Sequence, residues 1–95
     1  MNTIWKFFVE ITDHVVINMP KGAKILKLDK QQGLLCLWCL VDDKAPDEQR
    51  YFRIFGTGRT LTKDDKAIPL EHMIYIDTFQ LGGGKLVFHM FEVKD

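Results

Sequence analysis

Leu34-Leu35-Cys36-Leu37-Trp38-Cys39-Leu40-Val41 is an unbroken apolar run, set between the turn residues Gln31-Gln32-Gly33 and the acids Asp42-Asp43. A run of this length between turn signals reads as a central strand covered on both faces, with a short buried helix as its rival. The flanking segments favour the strand. Upstream, Lys24 to Lys30 reads as a strand with lysines on its wetter side, and Val15, Ile17 and Met19 alternate in another, stopped by Pro20-Lys21-Gly22. From Thr3 to Ile11, the residues Thr3, Trp5, Phe7, Val9 and Ile11 share one strongly apolar face, because successive side chains of a strand point to opposite sides.

Downstream, Asp42 to Gln49 reads as an acidic loop around Pro46, and Arg50 to Phe55 as a strand. On it Tyr51, Arg53 and Phe55 share one face, Phe52 and Ile54 the other. Gly56-Thr57-Gly58 ends it. Arg59 to Pro69 is the longest loop, with a short helical turn expected within residues 64–74, where Pro69-Leu70-Glu71 can open one. Met73 to Leu81 pairs with Leu86 to Val93 across Gly82-Gly83-Gly84, since glycine supplies the positive φ of a tight turn. Short apolar runs punctuated by Gly, Pro and Asp about every ten residues predict an all-β, mainly antiparallel fold, a small sandwich or partly open barrel of about seven strands.

Composition sets the limits. The 95 residues suit one domain, residues 1–95, with one packed core. Hydrophobic residues are 46% and charged residues 27%, the balance of a folded domain. Thirteen basic residues meet thirteen acidic ones, which argues against both a basic nucleic-acid coat and an acidic DNA mimic. The chain has no serine, so a serine nucleophile is excluded. Two cysteines are too few for a disulfide framework or a four-cysteine zinc site. No apolar run reaches the length of a membrane helix, and the start lacks the pattern of a secretory signal, so the expected address is a reducing cytoplasm. Near-neutral charge leaves self-association into a homodimer open.

The chemistry-bearing residues each have a structural and a functional reading. Cys36 and Cys39 form a C-x-x-C pair, but three residues apart on a strand they face opposite ways, so they read as small buried hydrophobes and not as metal ligands or a redox dithiol. His89 alternates with Val87, Phe91 and Val93 and reads as a core histidine whose ring nitrogens find backbone partners; its functional reading is a base or ligand, in the extreme a hydrolase pairing it with Cys36 or Cys39. Gly56-Thr57-Gly58-Arg59 is a turn that could also cradle a phosphate, with Thr57 and Arg59 adding donors. Tyr51, Arg53 and Phe55, with Arg50 and Arg59 at the ends, suit stacking on bases if the lysines Lys21, Lys24, Lys27 and Lys30 lie alongside; the structural reading makes those lysines an edge strand's defence against pairing. Asp42-Asp43 and Asp47-Glu48 bracket Ala45-Pro46 as a negative knob for a basic partner, and Asp64-Asp65 is a further acidic pair without a calcium-loop pattern.

Ile11-Thr12-Asp13, Met19 to Leu26, Cys36 to Asp42, Phe52 to Gly58 and Tyr75 to His89 resemble blocks of a family of small phage and prophage proteins with no assigned activity. The resemblance implies an origin in a mobile element of a bacterial cell and carries over no functional residue. It favours a protein that acts by binding and inhibiting a component of the host or its defences. The expectation is therefore a non-enzymatic interaction protein without metal or cofactor, whose partner is a host or defence protein. It would bind through Tyr51, Arg53, Phe55, Asp43, Asp47 and Glu48. The alternative is a small nucleic-acid-binding domain or a module that captures a nucleotide or cyclic nucleotide at Gly56, Thr57, Gly58, Arg59 and His89.

Overall fold

The computed structural model of the chain describes residues 1–63 and 66–94; the Asp64-Asp65 pair lies outside the described residues. The alternating segments form β1 (Asn2–Phe8), β2 (His14–Pro20), β3 (Lys24–Gln31), β4 (Leu34–Asp42), β5 (Asp47–Gly56), β8 (Met73–Leu81) and β9 (Leu86–Val93). The long connection between β5 and β8 holds two short strands, β6 (Thr62–Lys63) and β7 (Lys66–Ala67), followed by the expected helical turn, a 3₁₀ turn at Leu70–His72. The main strands make two antiparallel sheets, one of three strands in the order β1-β4-β3 and one of four in the order β2-β5-β9-β8.

The sheets pack as a sandwich whose Cα extent is 16 Å in its thin direction, as two layers about 10 Å apart require. Leu35, Leu37, Cys39 and Val41 of β4 meet Val15, Ile17 and Met19 of β2, Phe52 and Ile54 of β5, Phe79 of β8 and Met90 of β9 in one buried cluster. Burying a side chain such as Phe52 or Met90 stabilises the fold by roughly 1.5–3 kcal/mol. The β3–β4 turn is two residues long, with Gln32 at φ 52° and Gly33 at φ 81°. Both central residues of this turn sit at positive φ, which matches the twist of a tight hairpin and favours glycine at the second position. At the other hairpin Gly82, Gly83 and Gly84 all have positive φ, as the glycine run predicts.

Three expectations are corrected. The first strand ends at Phe8 and not at Ile11: the Val9 N–H makes a last bond to the Leu35 carbonyl, after which residues 10–13 lead to the second sheet. The acidic loop shrinks to residues 43–46, since β2 and β5 stay in register as far as Pro20 opposite Asp47. Polar residues such as Asp47 and Gln49 are tolerated there because that end of β5 faces solvent. Finally, β4 is central in its sheet but is covered by the second layer on one face only. Its other face carries Cys36, Trp38 and Leu40, with Leu34 56% exposed.

Candidate binding face

Register places the predicted residues. Along β5 the side chains of Asp47, Gln49, Tyr51, Arg53 and Phe55 alternate onto the outer face of the four-stranded sheet, while Phe52 and Ile54 enter the core. Arg53 pairs with His14 of β2 on one side and Phe91 of β9 on the other, and Phe55 pairs with His89. Tyr75 and Thr78 of β8 complete the rows opposite Phe91 and His89.

The result is an aromatic face. Phe91 meets Phe55 and Tyr75 edge-on, at ring-centre distances of 6.2 and 5.7 Å. Tyr51 and Tyr75 are half exposed. Phe55 is buried instead, with the Arg53 guanidinium 4.8 Å from its ring centre. Arg53 is held from below: its Nε donates to the Asp13 carbonyl at 2.8 Å and its Nη1 to the Thr62 carbonyl, tying the β6 segment to the sheet. Tyr51 Oη donates to Gln49 Oε1 at 3.0 Å. Two hollows flank this arginine. One, of about 230 Å³, is lined by His14, Val16, Tyr51, Arg53 and Val93. The other, of about 460 Å³, is lined by residues that include His14, Arg53, Phe55, Gly56, Arg59 and Thr60.

His89 is half-buried on this face, and its partners are side chains and not backbone groups, which corrects the core reading. Nε2 lies 2.7 Å from Thr57 Oγ1 and Nδ1 lies 2.9 Å from Thr78 Oγ1, which is itself 2.5 Å from Tyr75 Oη. The imidazole is thus clamped between two hydroxyls, and neither neighbour is the carboxylate that orients a catalytic histidine. The cysteine–histidine pair is not assembled. Cys36 and Cys39 are buried in the other sheet, on opposite faces of β4 as the strand parity requires. Burial pushes the Cys39 thiol up to about 11, away from the thiolate form a nucleophile needs.

The Gly56-Thr57-Gly58 segment is a turn closed by the Arg59 N–H donating to the Gly56 carbonyl at 3.1 Å. The Thr57 N–H donates to the Val87 carbonyl at 3.1 Å, so two of the amides a phosphate cradle would use are already engaged. The lysines do not lie beside the aromatic strand. They belong to β3 and the turn before it, in the three-stranded sheet; Lys24 and Lys27 stand opposite Leu40 and Trp38, and Lys30 reaches the Gln80 carbonyl at 2.6 Å.

Arg50 also leaves the expected surface. It points inward, donating from Nε to Glu92 Oε2 at 2.6 Å and from Nη2 to Oε1 at 2.8 Å, and bonds the Ala23 carbonyl. Glu92 is buried. Its hydrogen bonds raise the Arg50 pKa above an already high ordinary value. The acidic knob is divided. Asp43 and Asp42 accept from the Met1 amine at 3.1 and 3.2 Å, Glu48 accepts from the Gly22 N–H at 3.4 Å, and only Asp47 shares the aromatic face. The Lys44 N–H, then the Met1 amine, lower the Asp42 pKa. His14, Val16 and Tyr75 escaped sequence reasoning. Phe91 was legible beside His89 by alternation, but its place next to β5 needs the strand order.

The fold and face together define a small all-β sandwich with a pre-set aromatic surface. The chain belongs to the DUF7352 family, a domain of unknown function, whose model matches residues 1–95. No curated protein and no solved structure matches it.

Proposed function

We propose that this chain is a non-enzymatic phage or prophage accessory protein that binds and inhibits a host or defence protein in the bacterial cytoplasm. Its partner would seat on the outer face of the four-stranded sheet. The observation that carries this reading is Arg53. It is fixed by two backbone carbonyls and stands between two hollows, with the half-exposed Tyr51 at its side. Rigid Tyr and Arg side chains around small pockets are what protein interfaces use as anchors. The apolar hollow beside Val16 suits an aliphatic or aromatic side chain, and the larger one presents Arg53 and Arg59 to an acidic one. A protein partner is favoured over nucleic acid because the lysines lie in the other sheet, and over a nucleotide because the Gly56–Arg59 turn has two of its amides engaged.

The test is native mass spectrometry of tagged protein purified gently from bacterial cells, with Tyr51→Ala and a Lys24→Ala control on the other sheet. A second polypeptide should accompany the wild type and the control. Tyr51→Ala should weaken it by about 30-fold or more, the loss of a hot spot of about 2 kcal/mol. Its melting temperature should stay near that of the wild type. A chain that emerges alone, with a bound nucleotide, or with a partner indifferent to Tyr51 ends this reading.

A further inference from the structure

We infer that two copies of this chain pair through the free edge of β1, joining their three-stranded sheets into one of six strands. A sheet edge carries unpaired N–H and C=O groups, and folded proteins ordinarily protect it with bulges, proline or charge. Three of the four edges of the two main sheets show such protection. β3 is interrupted by a bulge between Ile25 and Lys27 and carries lysines, β8 has a bulge between Tyr75 and Asp77, and β2 ends in Pro20. β1 has neither bulge nor proline, and a single lysine. Its seven residues run without a register break along β4, Lys6 is their one charge, and Ile4, Trp5 and Phe8 are 57%, 40% and 63% exposed.

The hydrogen-bond parity of that edge can be read directly. The Val9 N–H donates to the Leu35 carbonyl, and the Asp43 N–H donates to the Met1 carbonyl. Both bonds continue the β1–β4 register and fall on odd-numbered residues of the first strand. Because antiparallel pairs alternate, Thr3, Trp5 and Phe7 are bonded to β4, and Asn2, Ile4, Lys6 and Phe8 turn their N–H and C=O groups to the free edge. A two-fold axis at Trp5 satisfies them all. It sets Ile4 against Lys6 of the second copy and Asn2 against its Phe8, giving about eight N–H···O bonds, two per bonded pair. Moving the axis to Lys6 would oppose two lysines, which disfavours that register. With the axis at Trp5, the two tryptophans become a non-hydrogen-bonded pair, the closest side-chain approach a sheet offers. An isologous contact of this kind closes at two copies, which suits a chain of zero net charge.

The test is sedimentation together with amide exchange. At about 100 µM, where even a contact of micromolar affinity is filled, the wild type should have twice the chain mass of 11.1 kDa. The Ile4, Lys6 and Phe8 amides should become protected as concentration rises. Ile4→Pro removes only an outward donor, so it should keep the strand content of the wild type and dimerise at least about 30-fold more weakly. Trp5→Phe should still dimerise but lose the exciton signal of paired indoles in the circular dichroism. A wild type that stays monomeric, or a dimer whose β1 amides exchange as fast as in the monomer, overturns the inference. This holds even if Ile4→Pro fails to fold, because both readouts use the native chain.

Discussion

Arg50 and Arg53 stand three residues apart on β5, and the sandwich puts them in different media. Arg50 turns inward to a buried carboxylate, with side-chain exposures of 15% for the arginine and 7% for Glu92. Arg53 turns outward, lies over an aromatic ring and bonds two carbonyls. Cys36 and Cys39 repeat the lesson on β4, one beneath the outer face of its sheet and one in the core. An odd spacing on a strand separates like residues completely, so residue type says little about role until the inner face is known.

The comparison breaks most visibly at the inner pair. Arg50→Ala should leave Glu92 as a buried charge without its partner and cost about 3–5 kcal/mol, read by urea denaturation. Replacing both partners, Arg50→Met with Glu92→Leu, should cost much less than Arg50→Ala, because the desolvated charge is removed together with its partner. If the double variant is no better than the single, the pair is not an electrostatic unit and the inner role assigned to Arg50 is wrong.

The next effect tests the inner position on β4, Cys39. Cys39 is protonated in the fold up to about pH 11, while an unfolded cysteine ionises near its ordinary value of about 8.5. Between those values the unfolded chain binds fewer protons than the folded one, so stability falls as the pH rises. The slope is at most about 1.4 kcal/mol per pH unit. Below the lower value the contribution is fully present. Melting curves from pH 8 to 11 should therefore flatten in Cys39→Val relative to the wild type. A wild type and Cys39→Val that fall in parallel would remove the assignment.

How far the sequence reaches follows from the same parity. Alternation and turn chemistry sufficed for the strands: Val15, Ile17 and Met19 point inward, the glycine hairpin closes β8 on β9, and Pro69-Leu70-Glu71 opens the 3₁₀ turn. Tyr51, Arg53 and Phe55 were legible as one row for the same reason. What alternation cannot supply is which strands lie side by side. β5 neighbours β9, more than thirty residues on, and that adjacency brings His89 and Phe91 to Arg53 and Glu92 to Arg50. Nor does an apolar run state how many layers cover it. The eight apolar residues of β4 look doubly buried, yet the second layer covers one face only, and on the other Leu34 is 56% exposed while Trp38 and Leu40 are half-buried.

The smallest effect sharpens the outer half of the comparison. Arg53→Ala removes two hydrogen bonds to carbonyls and a ring contact at a half-buried site, where water replaces much of what is lost. The expected cost is about 1 kcal/mol, a fall of roughly 4–8 °C in melting temperature for a domain of this size. Arg53→Lys should recover little of it, since a single ammonium cannot bridge carbonyls in the fixed fork geometry that reaches Asp13 and Thr62. The loosened β6 segment should also expose Phe55, seen as faster amide exchange in residues 59–63. A loss as large as that of Arg50→Ala would mean that Arg53 is part of the core scaffold and that its availability to a partner is incidental. A small loss in stability, coupled to a large loss in partner binding, is what separates an arginine held for recognition from one held for the fold.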